Sequence, residues 1–291
     1  MRKHATVPAE RVQTTKVKGK RSGTQGKAGH RAPAVYREFS GQPMEGTIYS
    51  GDGLEFMKSL PAESAHVIFL DPPFNLGKCY SSSGRSSDLR PEAEYREWLS
   101  QVLNESVRVL GHGGVLYLYH LPKWAMHFGA HLETMLTFRQ WIAVSMKNGF
   151  VRGKRLYPAH YALLMFSKGT PLVSNRPKLQ PALCRHCGKY VKDYGGYKGI
   201  IEAKGINLSD YWDDVSPVRH ASRKNRSANE LPSVIFDRVM QISGSPKGLY
   251  VDPFAGAGGG VVAAVKVGMT FRACDLFAAN CRLICSRLEK A

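Results

Sequence analysis

From residue 47 onward, hydrophobic positions follow two alternating patterns. Near-continuous apolar runs of strand length lie at residues 47–50, 66–70, 115–119, 140–146, 160–166, 248–251 and 270–274. Runs of this type suit strands covered on both faces, as in a parallel sheet. Between them, apolar residues recur every three or four positions. Leu54, Phe56, Met57 and Leu60 mark a first helix, closed by Pro61. Tyr95, Trp98, Leu99, Val102, Leu103, Val107 and Leu110 mark a longer one, stopped by Gly111 and the Gly113-Gly114 pair. Further helices are expected at 123–136, 233–242, 261–267 and 278–288. Strands alternating with helices predict an α/β protein with a doubly wound, mostly parallel sheet, whose ligands bind at the carboxyl ends of the strands.

Residues 1–40 and 168–224 lack both patterns. The first is rich in Lys, Arg, Gly, Thr and Pro, and is expected to be a disordered basic tail. It carries +8 of a formal net charge of +18 in 291 residues. It reads equally as a solubilising extension or as an arm that neutralises DNA phosphates. The second stretch is polar, irregular and basic, and divides the expected catalytic domain into residues 41–167 and 225–291. With 43% hydrophobic and 10% aromatic residues, the chain as a whole can bury a large core. A wholly disordered basic protein is therefore excluded. The positive charge points to a polyanionic partner, most simply nucleic acid. No apolar stretch approaches the roughly 18 residues of a membrane span, and no apolar segment follows the basic start as in a secretory signal. Six Cys are too few for a disulfide scaffold, so a reducing cytoplasm is the expected location.

Two motifs carry the chemistry. The strand at 248–251 runs into Asp252-Pro253-Phe254-Ala255-Gly256-Ala257-Gly258-Gly259-Gly260, then a helix, then a strand ending at Asp275. That is the layout of a nucleoside-binding crevice. Gly256 and Gly258 would let the backbone approach a ligand, and Asp275 could accept ribose hydroxyls. The second motif, Asp71-Pro72-Pro73-Phe74, closes the strand at 66–70. Two prolines remove two N–H donors and leave carbonyl acceptors. A carboxylate, a proline carbonyl and an aromatic ring together suit a planar group with an exocyclic amine. The alternative is a proline-terminated strand with Phe74 buried.

Asp-Pro-Pro-Phe joined to a Phe-Ala-Gly-Ala-Gly turn resembles the S-adenosylmethionine-dependent amino-methyltransferases that act on exocyclic amines in DNA. The motif order resembles their circularly permuted beta class, and the match covers most of residues 47–291. The resemblance implies a Rossmann-like seven-stranded methyltransferase sheet with an inserted target-recognition region at 168–224. It implies S-adenosyl-L-methionine as cofactor and double-stranded DNA as partner, with no membrane. It admits a homodimer and a restriction-modification setting, without naming a partner endonuclease. Asp71, Pro72, Pro73 and Phe74 would be catalytic. The Asp71 carboxylate and the Pro72 carbonyl would receive the amine hydrogens, and Phe74 would hold a flipped-out base. Asp52, Asp71, Asn229, Asp252, Phe254, Ala255, Gly256, Gly258 and Asp275 would line the cofactor site. Asp52 is equally placed to cap the helix that starts near Leu54. The chain departs from the common family form at Phe74 (usually Tyr), at Gly259-Gly260 (usually small hydroxyl residues), at Asp275 (often Glu) and along Asn229-Glu230-Leu231. An Asp in first place of the catalytic motif is similar to the adenine-N6 enzymes, and cytosine-N4 methylation is the alternative. An RNA or protein amine methyltransferase, or a degenerate DNA-binding module, are the readings from other classes.

Lys189, Lys192, Arg219, Arg223 and Lys224 in the recognition region, with Lys78 and Arg85 in the loop after Phe74, are the candidate DNA contacts. Cys184-Arg185-His186-Cys187-Gly188 has the form of a zinc knuckle, but a structural zinc needs four ligands and no second Cys pair is near. No metal is expected, with Cys184 and Cys187 the minority candidates. Cys274, Cys281 and Cys285 read as core residues.

Overall fold

All seven apolar runs become strands in the computed structural model, which describes residues 33–41, 44–77, 88–145, 156, 158–192, 194–215 and 230–290. The strands are β1 (Ala34–Phe39), β2 (Gly46–Ser50), β3 (Ala65–Leu70), β4 (Leu110–His120), β5 (Thr137–Ser145), β6 (His160–Ser167), β7 (Lys178–Leu179), β8 (Ile206–Asn207), β9 (Tyr211–Trp212), β10 (Leu249–Asp252) and β11 (Thr270–Asp275). The helices are α1 (Gly53–Ser59), α2 (Glu92–Val109), α3 (Pro122–Glu133), α4 (Lys198–Lys204), α5 (Ser233–Ser243), α6 (Gly259–Lys266) and α7 (Ala278–Leu288). Among the described residues one nine-stranded sheet has the order β1-β2-β11-β10-β3-β4-β6-β5-β9. Its inner seven strands are the expected set. They run parallel except β6, which is antiparallel to both β4 and β5.

Alternation along β3 shows why the sheet is buried on both sides. Val67 and Phe69 join a core with Ile235, Phe236, Val239, Val261 and Ile284 of α5, α6 and α7. Ile68 and Leu70 join the opposite core with Leu54 and Phe56 of α1, Leu99 and Leu103 of α2, and Phe128 of α3. A period of two thus feeds two cores, and helices cover both faces. The chain leaves β10 through α6 toward β11, and leaves β3 through α2 toward β4, in opposite directions along the sheet. The order therefore reverses between β10 and β3, and a crevice opens at such a point.

Three expectations are corrected. The basic tail does not reach residue 40, because Ala34–Phe39 pairs antiparallel with β2 at the sheet edge. Alternation in Ala-Val-Tyr-Arg-Glu-Phe is partial, with Tyr36 and Phe39 packed on the core, so the strand is hidden by its polar partners. The recognition stretch is not wholly separate from the catalytic sheet. β9 pairs in parallel with β5, and Trp212 and Val215 are buried in the main core. Finally, the strand expected at 115–119 starts earlier, directly after α2. β4 begins at Leu110 and runs through Gly111 and the Gly113-Gly114 pair, and its register with β3 slips between Ala65 and Val67. The remainder of the expected tail and most of the segment joining β5 to β6 lie outside the described residues.

Candidate active site

The carboxyl ends of neighbouring strands bring the candidate acids into a row. Asp275 ends β11, Asp252 ends β10 and Asp71 follows β3, while Asp52 follows β2 beyond them. Asp71 and Asp252 flank the point where the strand order reverses. Both line one cleft with Phe254, Ala255, Gly256, Ala257, Gly259, Phe69, Phe236, Glu230 and Leu231. The two motifs, far apart in the chain, therefore share one cavity.

Each acid has its own local support. The buried Asp252 accepts from the Tyr250 hydroxyl through Oδ2 (2.9 Å) and from the Phe254 N–H through Oδ1 (3.0 Å). Burial pushes its pKa up to about 7. The two hydrogen bonds oppose this, and the nearby Asp71 and Asp275 charges add to it. Asp275 is also buried, and three donors hold it. The Gly256 N–H bonds Oδ2 at 2.9 Å, and the Phe277 N–H and Asn280 Nδ2 bond Oδ1 at 2.8 and 2.9 Å. The carboxylate expected to face a ribose thus first fixes the glycine-rich turn. Asp52 caps α1, with Oδ1 accepting from Leu54 N–H (2.9 Å) and Glu55 N–H (3.2 Å). It stays beside the crevice, because the Cβ position of its neighbour Gly53 would lie 2.8 Å from the Pro253 carbonyl oxygen and 2.9 Å from the Phe254 ring.

The glycines serve packing as well as approach. Gly258 adopts φ +77° as the N-cap of α6, and a Cβ there would meet Ile284 at 2.8 Å, not a ligand. At Gly260 a Cβ would sit 1.9 Å from the Tyr250 hydroxyl oxygen, the group that donates to Asp252. A larger residue in that place would displace the hydroxyl, which is a physical reason for glycine here. Gly256, at φ +53°, does line the cleft. Behind the turn, Arg287 Nη1 bonds both the Ala257 carbonyl and the Glu230 carboxylate at 2.8 Å, tying α7 to the cleft wall.

Around the Asp-Pro-Pro-Phe motif, Asp71 is half-buried and Pro72 buried. Phe74 is 7% exposed and stacks on His120, with centroids 4.9 Å apart and planes at 26°. Tyr119 and Tyr161 flank it at 6.1 and 5.8 Å. The structure therefore corrects the picture of Phe74 as an open stacking platform: it is a packed member of an aromatic cluster. Tyr161, only partly buried, is that cluster's more accessible ring. Burial and the Asp71 charge both raise its pKa. The Pro73 carbonyl accepts from the Tyr95 hydroxyl at 2.7 Å, which leaves the Pro72 carbonyl as the proline acceptor to assign to a substrate amine.

Tyr95, His120, Tyr161, Glu230 and Arg287 carry no sequence signal that separates them from core or surface residues. Tyr95 lies in the apolar stripe of α2, and His120 ends an apolar run. Of the candidate DNA contacts, Lys189 and Lys192 are exposed beside a turn closed by Cys184 N–H to the Lys189 carbonyl (2.7 Å). Lys78, Arg85, Arg219, Arg223 and Lys224 lie outside the described residues, as does Asn229, though the following Glu230 and Leu231 line the cleft. Backbone N–H groups of Cys187 and His186 lower the Cys184 thiol pKa. Among the described residues no group of three or more His, Cys, Asp or Glu could hold a metal. Cys274, Cys281 and Cys285 are buried, as core residues should be.

Known proteins resemble the chain at three levels. A family model described as DNA methylase, of N6/N4 methyltransferases, matches residues 65–284. The type II methyltransferase M.BamHI of Bacillus amyloliquefaciens is 40% identical over 245 residues, covering 84% of this chain and 57% of that protein. The chain likewise spans 65% of M.HpaI of Haemophilus parainfluenzae, at 28% identity. The DNA adenine methyltransferase YhdJ of Escherichia coli (strain K12) is 24% identical over 255 residues, covering 84% and 83%. Among solved structures, a DNA modification methylase of Thermus thermophilus in complex with S-adenosyl-L-methionine superposes with a TM-score of 0.55 at 17% identity. It covers 84% of this chain and 94% of its own. The cytosine-N4-specific PvuII DNA methyltransferase does so at 0.53 and 17%, covering 81% and 85%. The matched span takes in both motifs, the cleft between them and the strands that position it, and on that ground the chain belongs to the DNA methylase family.

Proposed function

We propose that this chain transfers the methyl group of S-adenosyl-L-methionine to the exocyclic N6 amine of adenine at specific sites in double-stranded DNA. The observation that carries the reading is the shared cleft. Asp71 of the Asp-Pro-Pro-Phe turn and the Gly-rich turn at Asp252–Gly259 line it together, at the reversal point of the sheet. The residues fit the cofactor chemically. Carboxylates of Asp71, Asp252 and Glu230 suit a ligand bearing a sulfonium and an ammonium, and Phe254, Leu231 and Phe236 offer apolar surface for its organic frame. Asp52 beside Phe254 suits the adenine end, and Asp275 serves the ribose end chiefly by holding the Gly256 N–H in place.

When bound, S-adenosyl-L-methionine supplies an electrophilic methyl on a cationic sulfur. The chain has to present a poor nucleophile to it, because an aromatic amine delocalises its lone pair into the ring. Asp71 and the Pro72 carbonyl would accept hydrogen bonds from the two amine N–H groups and favour a pyramidal nitrogen, with its lone pair turned toward the methyl; once methylated, the nitrogen would release one of those protons to regain a neutral amine. Positioning and electrostatics supply the acceleration, and no covalent bond to the base is needed. The base has to leave the duplex to reach a cleft at the carboxyl ends of the central strands. Tyr161 and the edge of the Phe74 cluster would then meet it. Lys189 and Lys192, with the basic residues around 219–224, would hold phosphates.

Asp71 in first place of the motif supports adenine, as does the relative named for adenine. Cytosine-N4, the specificity of the PvuII DNA methyltransferase, shares the amine geometry and is the alternative outcome of product analysis. The Asp71→Ala variant is expected to lose methyl transfer by at least about 100-fold, with cofactor affinity changed by less than about tenfold. Single-turnover transfer and calorimetric cofactor titration check this, and retained transfer would refute the mechanism.

A further inference from the structure

The catalytic turn is held from behind by a buried relay that the proposed chemistry does not itself use. Leu121 N–H donates to His120 Nδ1 at 2.8 Å. That bond makes Nδ1 the acceptor of the ring and places the single proton of a neutral imidazole on Nε2. Nε2 lies 2.7 Å from the Tyr95 hydroxyl, which in turn lies 2.7 Å from the Pro73 carbonyl oxygen. The direction of every bond follows: Nε2–H donates to the Tyr95 oxygen, and the Tyr95 hydroxyl donates to Pro73. His120 is fully buried and Tyr95 is 1% exposed, so water does not compete. Burial drops the His120 pKa to about 3, which keeps the ring neutral and the direction fixed at any working pH.

The same imidazole stacks on the Phe74 ring. One histidine therefore reaches both residues that end the motif: Pro73 through Tyr95, and Phe74 by direct contact. This matters because the proline ring locks φ, leaving ψ as the one soft dihedral of Pro73. That angle sets where the Pro73 carbonyl points and where Phe74 begins. Fixing the carbonyl and the Phe74 ring together fixes the exit of the turn, and with it the Asp71 and Pro72 acceptors just before it.

We propose that Tyr95 and His120 are positioning residues for methyl transfer, a relay on α2 and β4 that locks the Asp71-Pro72-Pro73-Phe74 turn in its reactive geometry. The inference rests on the reading of that turn as the catalytic motif. It predicts a loss in the chemical step that is separable from binding. In single-turnover assays with duplex DNA, Tyr95→Phe keeps the buried ring but removes the hydroxyl. Its transfer rate should fall by about 10- to 100-fold, while dissociation constants for cofactor and DNA stay within about twofold. His120→Gln can still offer an N–H toward Tyr95 and should recover part of the rate, whereas His120→Leu fills space without a donor and should not. Circular dichroism and thermal melting confirm that each variant is folded at the assay temperature.

Wild-type transfer by Tyr95→Phe would overturn the proposal. So would equal rates for the Gln and Leu variants, or a fall in rate matched by equal losses of both affinities. Asp71→Ala, run alongside, separates the two levels. If it remains active, the catalytic reading of the turn has failed. If it is inactive while Tyr95→Phe is unimpaired, the relay alone has failed.

Discussion

At the residue scale, the buried Asp252 is the most unusual group in the cleft. Its pKa stands near 7 in the folded protein, against an ordinary carboxylate value near 4 in an unfolded chain. The sign follows from proton counting. Between these values the folded state binds the extra proton, so Asp252 contributes stability at low pH that is lost as pH rises through about 7. The protein without cofactor should therefore lose stability over this window relative to Asp252→Asn, by up to about 1.4 kcal/mol per pH unit. Urea unfolding of both proteins from pH 4 to pH 8 measures the difference, and parallel pH profiles would show that Asp252 is ionised throughout. Asp252 was legible as a motif residue from its place before Pro253-Phe254. Its protonation was not, because that depends on Tyr250, Asp71 and Asp275 converging on it in space. The same holds for His120, whose role comes from contacts with Tyr95 and Phe74 that no spacing announces.

At the element scale, the strands and helices were legible because each obeys one period. The seven apolar runs became the seven inner strands, and α2 buries Tyr95, Leu99, Val102 and Leu103 of the predicted stripe, with Val109 beside it. The edge strands were not legible. β1 is half-polar, and β9 is two residues long and held by Trp212, which sits under a buried Arg238 paired with Asp214. Such strands take their conformation from neighbours, not from their own pattern. The α6 start shows the converse: Gly258 was read as ligand approach but is set by packing against Ile284, and Gly260 is set by packing against Tyr250. Gly260→Ala should therefore destabilise the fold by about 2 kcal/mol or more, through overlap with the Tyr250 hydroxyl. Tyr250→Phe in the same chain should recover part of that loss, and a double-mutant cycle in urea reads the coupling. Purely additive effects would show that the hydroxyl is not what glycine accommodates.

At the scale of the whole molecule, charge and fold divide the work. Residues 1–32 hold +8 of the +18, and the rest is spread over the methylase-like part. Because β1 starts at Ala34, the tail can be removed at residue 32 without touching the sheet. The shortened protein should bind non-cognate duplex DNA more weakly, with a shallower dependence of log affinity on log salt, as fewer counterions are released. An unchanged slope in fluorescence anisotropy titrations would show that the tail does not contact DNA. Among the described residues, no helix is long and apolar enough to cross a membrane.

If the shared cleft methylates an exocyclic base amine, the product itself records it. Methyl-labelled S-adenosyl-L-methionine and genomic DNA are incubated with the protein, the DNA is digested to nucleosides, and the labelled nucleoside is identified by mass. The expected product is N6-methyladenine with the wild-type chain, and none with Asp71→Ala. N4-methylcytosine would retain the amine chemistry and overturn the choice of base. Label on a ring carbon such as that of 5-methylcytosine, or no labelled nucleoside at all, would refute amine methylation by this cleft.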